Sequence, residues 1–437
     1  MDVPLRKVLI ITYYWPPSGG AGVQRWLKFV KYLRSFGWEP VIFTPENPEY
    51  PSNDESLVKD IPEGVQVVKI PIWEPYQFYK KLIGAGKSER INAGFLSEKK
   101  RPGMAERFSI WLRGNFFIPD ARKFWIKPAI KFLTIYLKNH PVEAIVSTGP
   151  PHSMHMIAKG VKKNTGLPWL ADFRDPWTNI DFYHELMLTK WADRKHHRQE
   201  LSVLKEADEV VVISNSMKSD FLKIYDRNYM VITNGFDIDD VADMEVSLDR
   251  KFSIAHIGTM VKTRNPQALW EALKSLIVGI PGFDEDIEIK LVGSVDFSVM
   301  ESIADTGLSE YVNRIAYLPH HDVIRVQQQS QVLLLLINDT PNAKVILPGK
   351  FFEYMAAKRP ILCIGPKDGD AAKVIADTGS GYVIEKEKVD GIAKVILSLY
   401  TEYKSGQLKV DSHGIEQFSR KSLTGMMAKR LDSICKT

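Results

Sequence analysis

The stretch PGKFFEYMAA at residues 348–357 decides how the chain can fold, because it lies between two short apolar segments. These segments are VLLLLI at 332–337 and ILCIG at 361–365, and neither alternates with polar residues. Such runs are typical of parallel strands buried on both faces. Pro348 and Gly349 predict a loop, the following residues predict a short helix, and Pro360 ends it. The stretch therefore predicts a strand–loop–helix–strand unit of a parallel sheet.

Two side chains of this stretch suggest what the unit binds. Ligands of open α/β sheets lie at the carboxyl ends of the strands, which is where this loop begins. Lys350 stands at the predicted start of the helix and Glu353 in its predicted first turn. A lysine and free helix N–H groups suit a phosphate, and a carboxylate accepts hydrogen bonds from sugar hydroxyls. The alternative is that Glu353 only complements the helix dipole and Lys350 is solvated.

Segments of the same kind recur along the 437 residues, a length that exceeds what one hydrophobic core usually serves. Examples are VEAIVST at 142–148, PWLADF at 168–173 and FSIAHI at 252–257. Residues 237–249 are acidic and lack a clear period. The pattern predicts an α/β protein of two doubly wound, Rossmann-like domains at residues 1–240 and 250–410.

The overall composition is that of a globular protein, with 44% hydrophobic and 25% charged residues. The two cysteines, Cys363 and Cys435, imply no disulfide framework, and no apolar run approaches the length of a membrane-spanning helix. We therefore expect a cytoplasmic location. DxD strings at 237–239 and 368–370 arise easily by chance, and the histidine pairs lack ligand spacing, so no metal site is predicted.

A basic segment at residues 76–140 departs from this average. It contains fourteen Lys or Arg and four Asp or Glu, a local net charge of +10 in a chain of net charge +5. Aromatic residues such as Phe116, Phe124 and Trp125 are interleaved with the cations. This pattern predicts an anionic partner: a membrane interface, a phospholipid-linked substrate or nucleic acid. The alternative is a set of solvated helix faces whose aromatic side chains point inward.

The loop GGAG at residues 19–22 is a second candidate for phosphate contact. Gly19 and Gly20 lie in it, but it lacks the Lys and Ser/Thr of a phosphate-binding P-loop. Arg25 stands where a dinucleotide fingerprint needs glycine, so a dehydrogenase is not predicted. A plain turn remains the alternative.

His152 and Asp172 are candidates for catalysis at two strand ends. His152 follows two prolines, and an imidazole there could donate to a sugar hydroxyl or support a developing charge. His155 is its rival, and a helix-terminal histidine without a chemical role stays open. Asp172 ends the next strand beside Arg174, which predicts either function or a structural Arg–Asp pair.

Eight strings carry a resemblance to a known family. They are YYWPPSGGAGVQR (13–25), STGPPHSMH (147–155), ADFRDPW (171–177), VVISNSM (211–217), ITNGFD (232–237), HIGTM (256–260), LVGS (291–294) and GKFFEYMAAKRPIL (349–362). In order and spacing they resemble the family 4 retaining glycosyltransferases over essentially the whole chain. The resemblance implies the GT-B fold, two domains facing a central cleft, with a C-terminal helix in residues 411–437 packing back on the first domain.

The resemblance also implies residue roles. Glu353 matches the second glutamate of a pair that binds the donor ribose, but the first glutamate is replaced by Val345. The arginine expected after the first glycine of the second domain is Thr259, and the lysine that accompanies it is Arg264. Lys262 and Lys350 are candidate substitutes for the missing charge. The implied donor-binding residues are Gly258, Thr259, Lys262, Arg264, Gly293, Pro319, Lys350 and Glu353, while Gly19 and Gly20 form the acceptor and phosphate loop and His152 lies near the reacting sugar.

The implied function is metal-independent, retaining transfer of a sugar from a nucleotide-diphosphate sugar to a glycan or lipid-linked glycan, with no cofactor. The resemblance places it in surface polysaccharide or glycolipid synthesis, in the cytoplasm or on the inner face of the membrane. One alternative is a nucleotide-sugar epimerase of the same fold, which would form product without an acceptor. Another is a nucleic-acid-binding protein using the basic segment, although no nucleic acid is expected as a partner and salt-dependent binding would be required.

Overall fold

The structure is a computed structural model that describes residues 4–50, 53–74, 104–180, 183–241, 246–316, 318–340 and 342–436. Residues 76–103 of the predicted basic segment lie outside the described residues. The chain divides into two compact units, Met1–Thr233 with Leu423–Thr437, and Asn234–Ser422. No helix in the described part of the chain is both long and apolar enough to cross a membrane.

The first unit is built on seven strands in a parallel sheet of order β3-β2-β1-β4-β5-β6-β7. Its strands are β1 (Arg6–Ile11), β2 (Trp38–Pro45), β3 (Gln66–Ile70), β4 (Ala144–Gly149), β5 (Trp169–Phe173), β6 (Glu209–Val212) and β7 (Met230–Val231). Its helices are α1 (Ala21–Leu33), α2 (Met104–Phe116), α3 (Lys123–Asn139), α4 (Ser153–Thr165), α5 (Lys190–Glu206) and α6 (Asn215–Ile224), with short 3₁₀ helices at Arg34–Phe36, Glu55–Asp60 and Tyr183–Leu186.

The central strands of this sheet lie in the core between two layers of helices. Most residues of β1, β4 and β5 are buried on both faces, so each face needs a covering layer of helices. One layer packs around Trp125, Ala129 and Leu133 of α3, and the other around Trp26 and Val30 of α1. The strand order reverses between β1 and β4, which is where doubly wound sheets bind ligands.

The second unit repeats the design with six parallel strands in the order β10-β9-β8-β11-β12-β13. Its strands are β8 (Phe252–Ile257), β9 (Ile287–Val292), β10 (Val312–Ile315), β11 (Val332–Leu336), β12 (Ile361–Ile364) and β13 (Gly381–Ile384). Its helices are α7 (Gln267–Gly279), α8 (Phe283–Asp286), α9 (Phe297–Asp305), α10 (His320–Gln329), α11 (Gly349–Ala356), α12 (Asp370–Thr378) and α13 (Val389–Lys404), with 3₁₀ helices at Ile238–Asp240, Lys262–Arg264, Ser309–Tyr311, Ala343–Val345 and Ile415–Phe418.

The end of the chain differs from the sequence prediction, which separated residues 411–437 as one piece. Residues up to Ser422 belong to the second unit, because Phe236 N donates to Phe418 O and Arg420 N donates to Phe236 O. The last helix, α14 (Arg420–Cys435), then supplies Leu423, Met427 and Leu431 to a core cluster of the first unit.

The opening stretch has the predicted strand–loop–helix–strand order, with one correction. Helix α11 begins at Gly349, after Pro348 in an extended conformation, so its first turn holds no acidic residue. Glu353 therefore lies in the second turn, where a carboxylate gains less from the helix dipole than the sequence prediction assumed.

Candidate functional site

The first cluster of predicted residues lies at the carboxyl ends of β8 and β11 in the second unit. The strand order of this sheet reverses between these two strands, and α11 follows β11. Lys350 is in the first turn of α11, and its Nζ donates to the Ile257 carbonyl at 2.9 Å. The same Nζ lies 3.3 Å from His256 Nε2. The ammonium is thereby held over the end of β8, at the switch point where this fold class binds its ligands.

Two glycines form the floor of this region. Gly258 follows β8 with φ 111°, and Gly293 follows β9 with φ 109°, a region that side chains rarely adopt. A Cβ at Gly293 would lie 3.1 Å from the Gly258 carbonyl oxygen. A Cβ at Gly258 would lie 3.7 Å from Lys350 Nζ. These positions keep the space beside the ammonium free of side-chain atoms.

Arg264 adds a second cation to the same region. Its Nη1 donates to the Thr259 carbonyl at 2.9 Å, and its Nε donates to Asn338 Oδ1. Asn338 follows β11, so the guanidinium connects the loops that leave the two central strands. Lys262, in the same 3₁₀ helix, is exposed. Thr259 contributes its backbone carbonyl to the Arg264 contact, at the position where the family arginine was expected.

Glu353 lies one turn along α11 from Lys350. Its Oε2 accepts a hydrogen bond of 3.1 Å from Nε2 of Gln327, a buried residue of α10. The bond holds the carboxylate in place while leaving it partly exposed. Val345, where the first family glutamate was expected, belongs to the 3₁₀ helix Ala343–Val345 and supplies no charge. Pro319 precedes α10 and is exposed, and its carbonyl accepts from Asp322 N and Val323 N at 3.0 Å.

The charge state of Lys350 is set by its surroundings. Loss of solvent around the ammonium, together with the nearby Arg264 cation, lowers the pKa of Lys350 to about 7, although Glu353 opposes the shift. Burial, with the neighbouring Lys350 cation, also lowers the pKa of His256 well below its usual value, so the imidazole is neutral. A lysine of this kind gains a proton when an anion binds beside it, which suits a diphosphate.

A pocket of about 320 Å³ is the second candidate site, and it lies within the first unit. Its apolar wall comes from aromatic and aliphatic residues around the end of α2 and the segment after β5. Polar groups reach it from several directions. Its lining includes Phe117, Ile180 and Tyr183, with Asp120, His152 and His196. Apolar walls with a few convergent polar groups are typical of binding pockets for small molecules.

His152 is the predicted residue that the structure places in this pocket. Its ring stacks on the indole of Trp177 at a centroid distance of 4.4 Å and an interplanar angle of 1°. Burial, with nearby His155 and His196, lowers the pKa of His152 well below 6.5. The imidazole is therefore neutral at physiological pH and can serve as a hydrogen-bond donor or acceptor, but not as a standing cation.

The sequence resemblance implies that His152 lies near the reacting sugar. On that basis, replacing His152 with alanine is expected to lower sugar transfer about tenfold, because one hydrogen bond to the acceptor contributes about 1.4 kcal/mol. Donor affinity should not change, because the pocket and the Lys350 region belong to different units. The measurement is the transfer rate against acceptor concentration, with nucleotide-sugar affinity by calorimetry. His184→Ala, at an exposed histidine of the same unit, is the matched control. Equal transfer by both variants would remove His152 from the site.

Asp172 has a different environment from the one expected of a catalytic group. It is fully buried, and its carboxylate accepts from Arg25 Nη2 at 2.8 Å, Trp26 Nε1 at 2.8 Å and Thr148 Oγ1 at 3.0 Å. Burial opposes ionisation, but the Arg25 charge and the hydrogen bonds hold the pKa of Asp172 below its usual value. These contacts favour the structural alternative over the predicted catalytic role.

The partner of Asp172 also differs from the sequence interpretation. Arg174 turns away, and its Nη1 donates to the Gly22 carbonyl at 2.6 Å. Arg25, instead of Arg174, pairs with Asp172. It also donates to the carbonyls of Thr233 and Ile232, at 2.6 and 2.8 Å. The clamp thus joins α1, the end of β5 and the segment after β7.

The glycine loop lies between β1 and α1. Gly20 is exposed with φ 91° and precedes the first residue of α1, and Gly19 is buried. The carbonyl of Gly20 accepts from Val23 N at 3.2 Å. The loop therefore directs the N-terminus of a thirteen-residue helix toward the carboxyl edge of the sheet, an arrangement that attracts anions.

Arg25 and His256 are the structural partners that sequence reasoning did not assign. Arg25 was noted only as a residue that is not glycine, although it neighbours the apolar face of α1 and is 1% exposed. His256 stood in the quoted string HIGTM as the only polar ring in a strand of otherwise apolar or small residues. Within the described ranges, no group of three or more His, Cys, Asp or Glu could hold a metal ion.

Similarity to solved structures agrees with this architecture. A glycosyltransferase from Rickettsia africae aligns over 100% of both chains, with a TM-score of 0.63 and 16% identity. Anabaena HepE, in complex with UDP and glucose, aligns over 99% of this chain and 97% of its own, with a TM-score of 0.56 and 14% identity. WaaG, a glycosyltransferase involved in lipopolysaccharide biosynthesis, aligns over 98% and 97%, with a TM-score of 0.55 and 14% identity. No curated protein matches the sequence.

These likenesses and the two parallel sheets define a two-domain α/β protein of the GT-B fold, as the sequence predicted. Residues 251–402 match the family model described as glycosyl transferases group 1. The matched residues all lie within the second unit, Asn234–Ser422. The switch-point cluster around Lys350 lies inside the matched residues.

Proposed function

We propose that this protein is a retaining, metal-independent glycosyltransferase that uses a nucleotide-diphosphate sugar. The observation that carries the proposal is the position of Lys350 Nζ, over the end of β8 and beside the open glycine floor of Gly258. Arg264 and Lys262 supply further positive charge to the loops of the same sheet edge. Such an arrangement suits a diphosphate, whose charge increases as the sugar leaves. HepE, solved with UDP and glucose, supports a UDP-sugar as donor.

The reaction that fits these groups breaks the bond between the sugar's anomeric carbon and the diphosphate oxygen. A bond from the acceptor hydroxyl oxygen to that carbon forms on the same face, and the acceptor proton passes to the departing phosphate. Among the described residues, we assign no two carboxylates that flank the scissile bond, the arrangement that glycoside hydrolases use. Lys350 and Arg264 stabilise the negative charge that develops on the diphosphate.

The acceptor side of the proposal rests on the pocket of the first unit. Its aromatic wall and polar groups suit a sugar ring, with one apolar face and hydroxyls at its edge. We take the acceptor to be a glycan or lipid-linked glycan, and WaaG, which acts in lipopolysaccharide biosynthesis, supports this class. The proposed setting is surface polysaccharide or glycolipid synthesis, in the cytoplasm at an anionic membrane.

Replacing Glu353 with alanine is expected to weaken donor binding by about 1–3 kcal/mol, because the ribose would lose its charged hydrogen-bond acceptor. Calorimetric titration with UDP-, GDP- and ADP-sugars measures this loss and identifies the base. Glu301→Ala, at an exposed glutamate of the same unit, is the control. Unchanged donor affinity in Glu353→Ala would refute the ribose assignment. Conversion of a bound sugar without any acceptor would point to an epimerase instead.

A further inference from the structure

Helix α3 carries an unusual outer face. Its 17 residues contain no Asp or Glu, and its inner face buries Trp125, Ala129, Leu133 and Leu137 against the first unit. The exposed residues recur at helical spacing and alternate cations with apolar side chains: Phe124, Lys127, Pro128, Lys131, Ile135 and Lys138. Ile135 is 56% and Phe124 42% exposed. Basic helices with a mixed apolar surface are typical of the membrane interface.

Aromatic residues extend this face beyond the helix. Trp73, 62% exposed, packs edge-on against Phe124 at 4.9 Å. Phe116 is 55% exposed, and its ring centroid lies 5.6 Å from that of Trp111. Large aromatics at such exposure are costly in water and are favoured at the level of lipid head groups.

Cations of helix α5 belong to the same face. Lys123 lies over the ring of Phe117, which lines the same pocket as His196 of α5. Burial, with the charge of Lys195, lowers the pKa of Lys123. Lys195 also lies over the ring of Trp191, which is 59% exposed. Arg194 and Arg198 line the same recess as Trp191 and Lys195. We call the outer face of α3 with Trp73, Phe116, Trp191 and these α5 cations the basic aromatic face.

Asp120, which precedes α3, and Asp193 of α5 have hydrogen-bond partners of their own. Asp120 accepts from Ser153 N and Ser153 Oγ at 2.8 Å, which directs it toward α4. Asp193 accepts from the Tyr183 hydroxyl at 3.0 Å. Within the part of the chain that the structure describes, Lys127 and Lys131 of α3 are exposed cations, and anionic lipid has the matching charge.

The basic aromatic face is continuous with the wall of the pocket. Phe117 lines the pocket, and its ring lies 6.0 Å from Phe124 on the face. Lys123 lies over both rings, at 5.5 and 4.9 Å. On α5, His196 lines the pocket beside Lys195. A head group at the membrane surface would thus be near the pocket wall.

We propose that the basic aromatic face docks on an anionic lipid bilayer and presents the pocket of the first unit to the head group of a lipid-linked acceptor. The docking stands on the exposed aromatic side chains and exposed cations of the described residues alone. The identity of the pocket's occupant rests on the proposed function. The face places cations at the lipid phosphates and aromatic rings among the head groups.

The test is co-sedimentation of the full chain with vesicles of phosphatidylcholine and phosphatidylglycerol in equal parts, and with phosphatidylcholine alone. We expect binding to the anionic vesicles that weakens with salt, because exposed charges are screened. The charge reversal Lys127→Glu with Lys131→Glu should weaken it at least about 30-fold, about fivefold for each lysine lost at the surface. Both side chains are exposed, so the fold should tolerate the change.

The matched control is Lys274→Glu with Lys394→Glu, which makes the same change in charge at exposed positions of the second unit. It should bind anionic vesicles far better than the α3 variant. Equal losses in both variants would reduce the effect to net charge and overturn the proposal. Binding of duplex DNA in preference to the vesicles would also overturn it.

Two further readouts separate this proposal from the proposed function. Brominated lipids should quench Trp191 fluorescence, and the quenching should fall in Trp191→Phe; no difference would contradict insertion of the face. Nucleotide-sugar affinity should be equal in wild type and in the α3 variant, because the substitutions lie outside the second unit. Vesicle binding without any nucleotide-sugar binding would reject the proposed function and leave the docking intact.

Discussion

Lys350→Met is expected to lower the rate of sugar transfer by about 100- to 1,000-fold, the usual effect of removing a group that stabilises developing negative charge. Methionine is close to lysine in length and apolar, so it removes the ammonium without leaving a large cavity. The hydrogen bond to the Ile257 carbonyl is lost as well. The rate of transfer from a nucleotide sugar to the acceptor measures the effect, and it can be monitored through release of the nucleoside diphosphate.

The pH dependence gives a second readout for the same residue. The cationic form of Lys350 attracts the diphosphate, and its pKa in the free protein is about 7. Donor affinity should therefore be greatest below that pH and fall up to tenfold per unit above it, until the raised pKa of the bound state is reached. Calorimetry in buffers of different ionisation enthalpy should show proton uptake on binding above pH 7. Both effects should be absent from Lys350→Met.

Lys344→Met is the matched control, since Lys344 stands six residues before Lys350 and is an exposed lysine that pairs with Asp368. It should retain nearly full transfer. If Lys350→Met and Lys344→Met were equally active, the diphosphate assignment of Lys350 would fail. Melting temperatures of the two variants, compared with wild type, show whether a loss reflects unfolding.

Asp172→Asn is expected to destabilise the first unit by about 3–5 kcal/mol, because Arg25 would remain charged and buried without its counter-ion. Asparagine keeps the size of the side chain, so the loss reports charge more than packing. Urea unfolding followed by tryptophan fluorescence measures the effect, since Trp26 donates directly to the carboxylate. Asp226→Asn, at an exposed aspartate of the same unit, should leave stability within about 0.5 kcal/mol.

A double variant distinguishes a structural pair from a catalytic carboxylate. Arg25→Met with Asp172→Leu removes both charges and should recover much of the stability that the single change loses. Full stability of Asp172→Asn with loss of transfer would restore the catalytic role instead. The carbonyls of Ile232 and Thr233 lose their donor in the double variant, so recovery should be partial.

The fold was predictable because its strands are apolar on both faces and separated by glycine and proline. β8 has the predicted bounds. Other strand ends differ by a few residues, because the apolar segment and the hydrogen-bonded strand do not end at the same residue. β13 was not predicted. This strand has only four residues, GYVI, and polar residues surround it in the sequence, so it gives no clear apolar segment.

The site was only partly predictable for a physical reason. Lys350 follows Pro348 and Gly349, and Gly258 follows a buried strand, so their proximity follows from the order of parallel strands. The contacts of Asp172 could not be read from the sequence. Arg25 and Asp172 are 147 residues apart, and which of two nearby arginines pairs with the carboxylate depends on packing of α1 against the sheet. The hydrogen bond from Gln327 to Glu353 is hidden for the same reason.

The return of α14 to the first unit has a consequence for synthesis of the chain. Leu423, Met427, Ala428, Leu431 and Ile434 complete a core cluster whose other buried members lie before residue 233, and Trp38 Nε1 donates to Asp432 Oδ1 at 3.0 Å. On the ribosome, the second unit is synthesised before these residues are made. The first-synthesised half thus waits with one apolar surface uncovered, and its final closure follows translation of the other half.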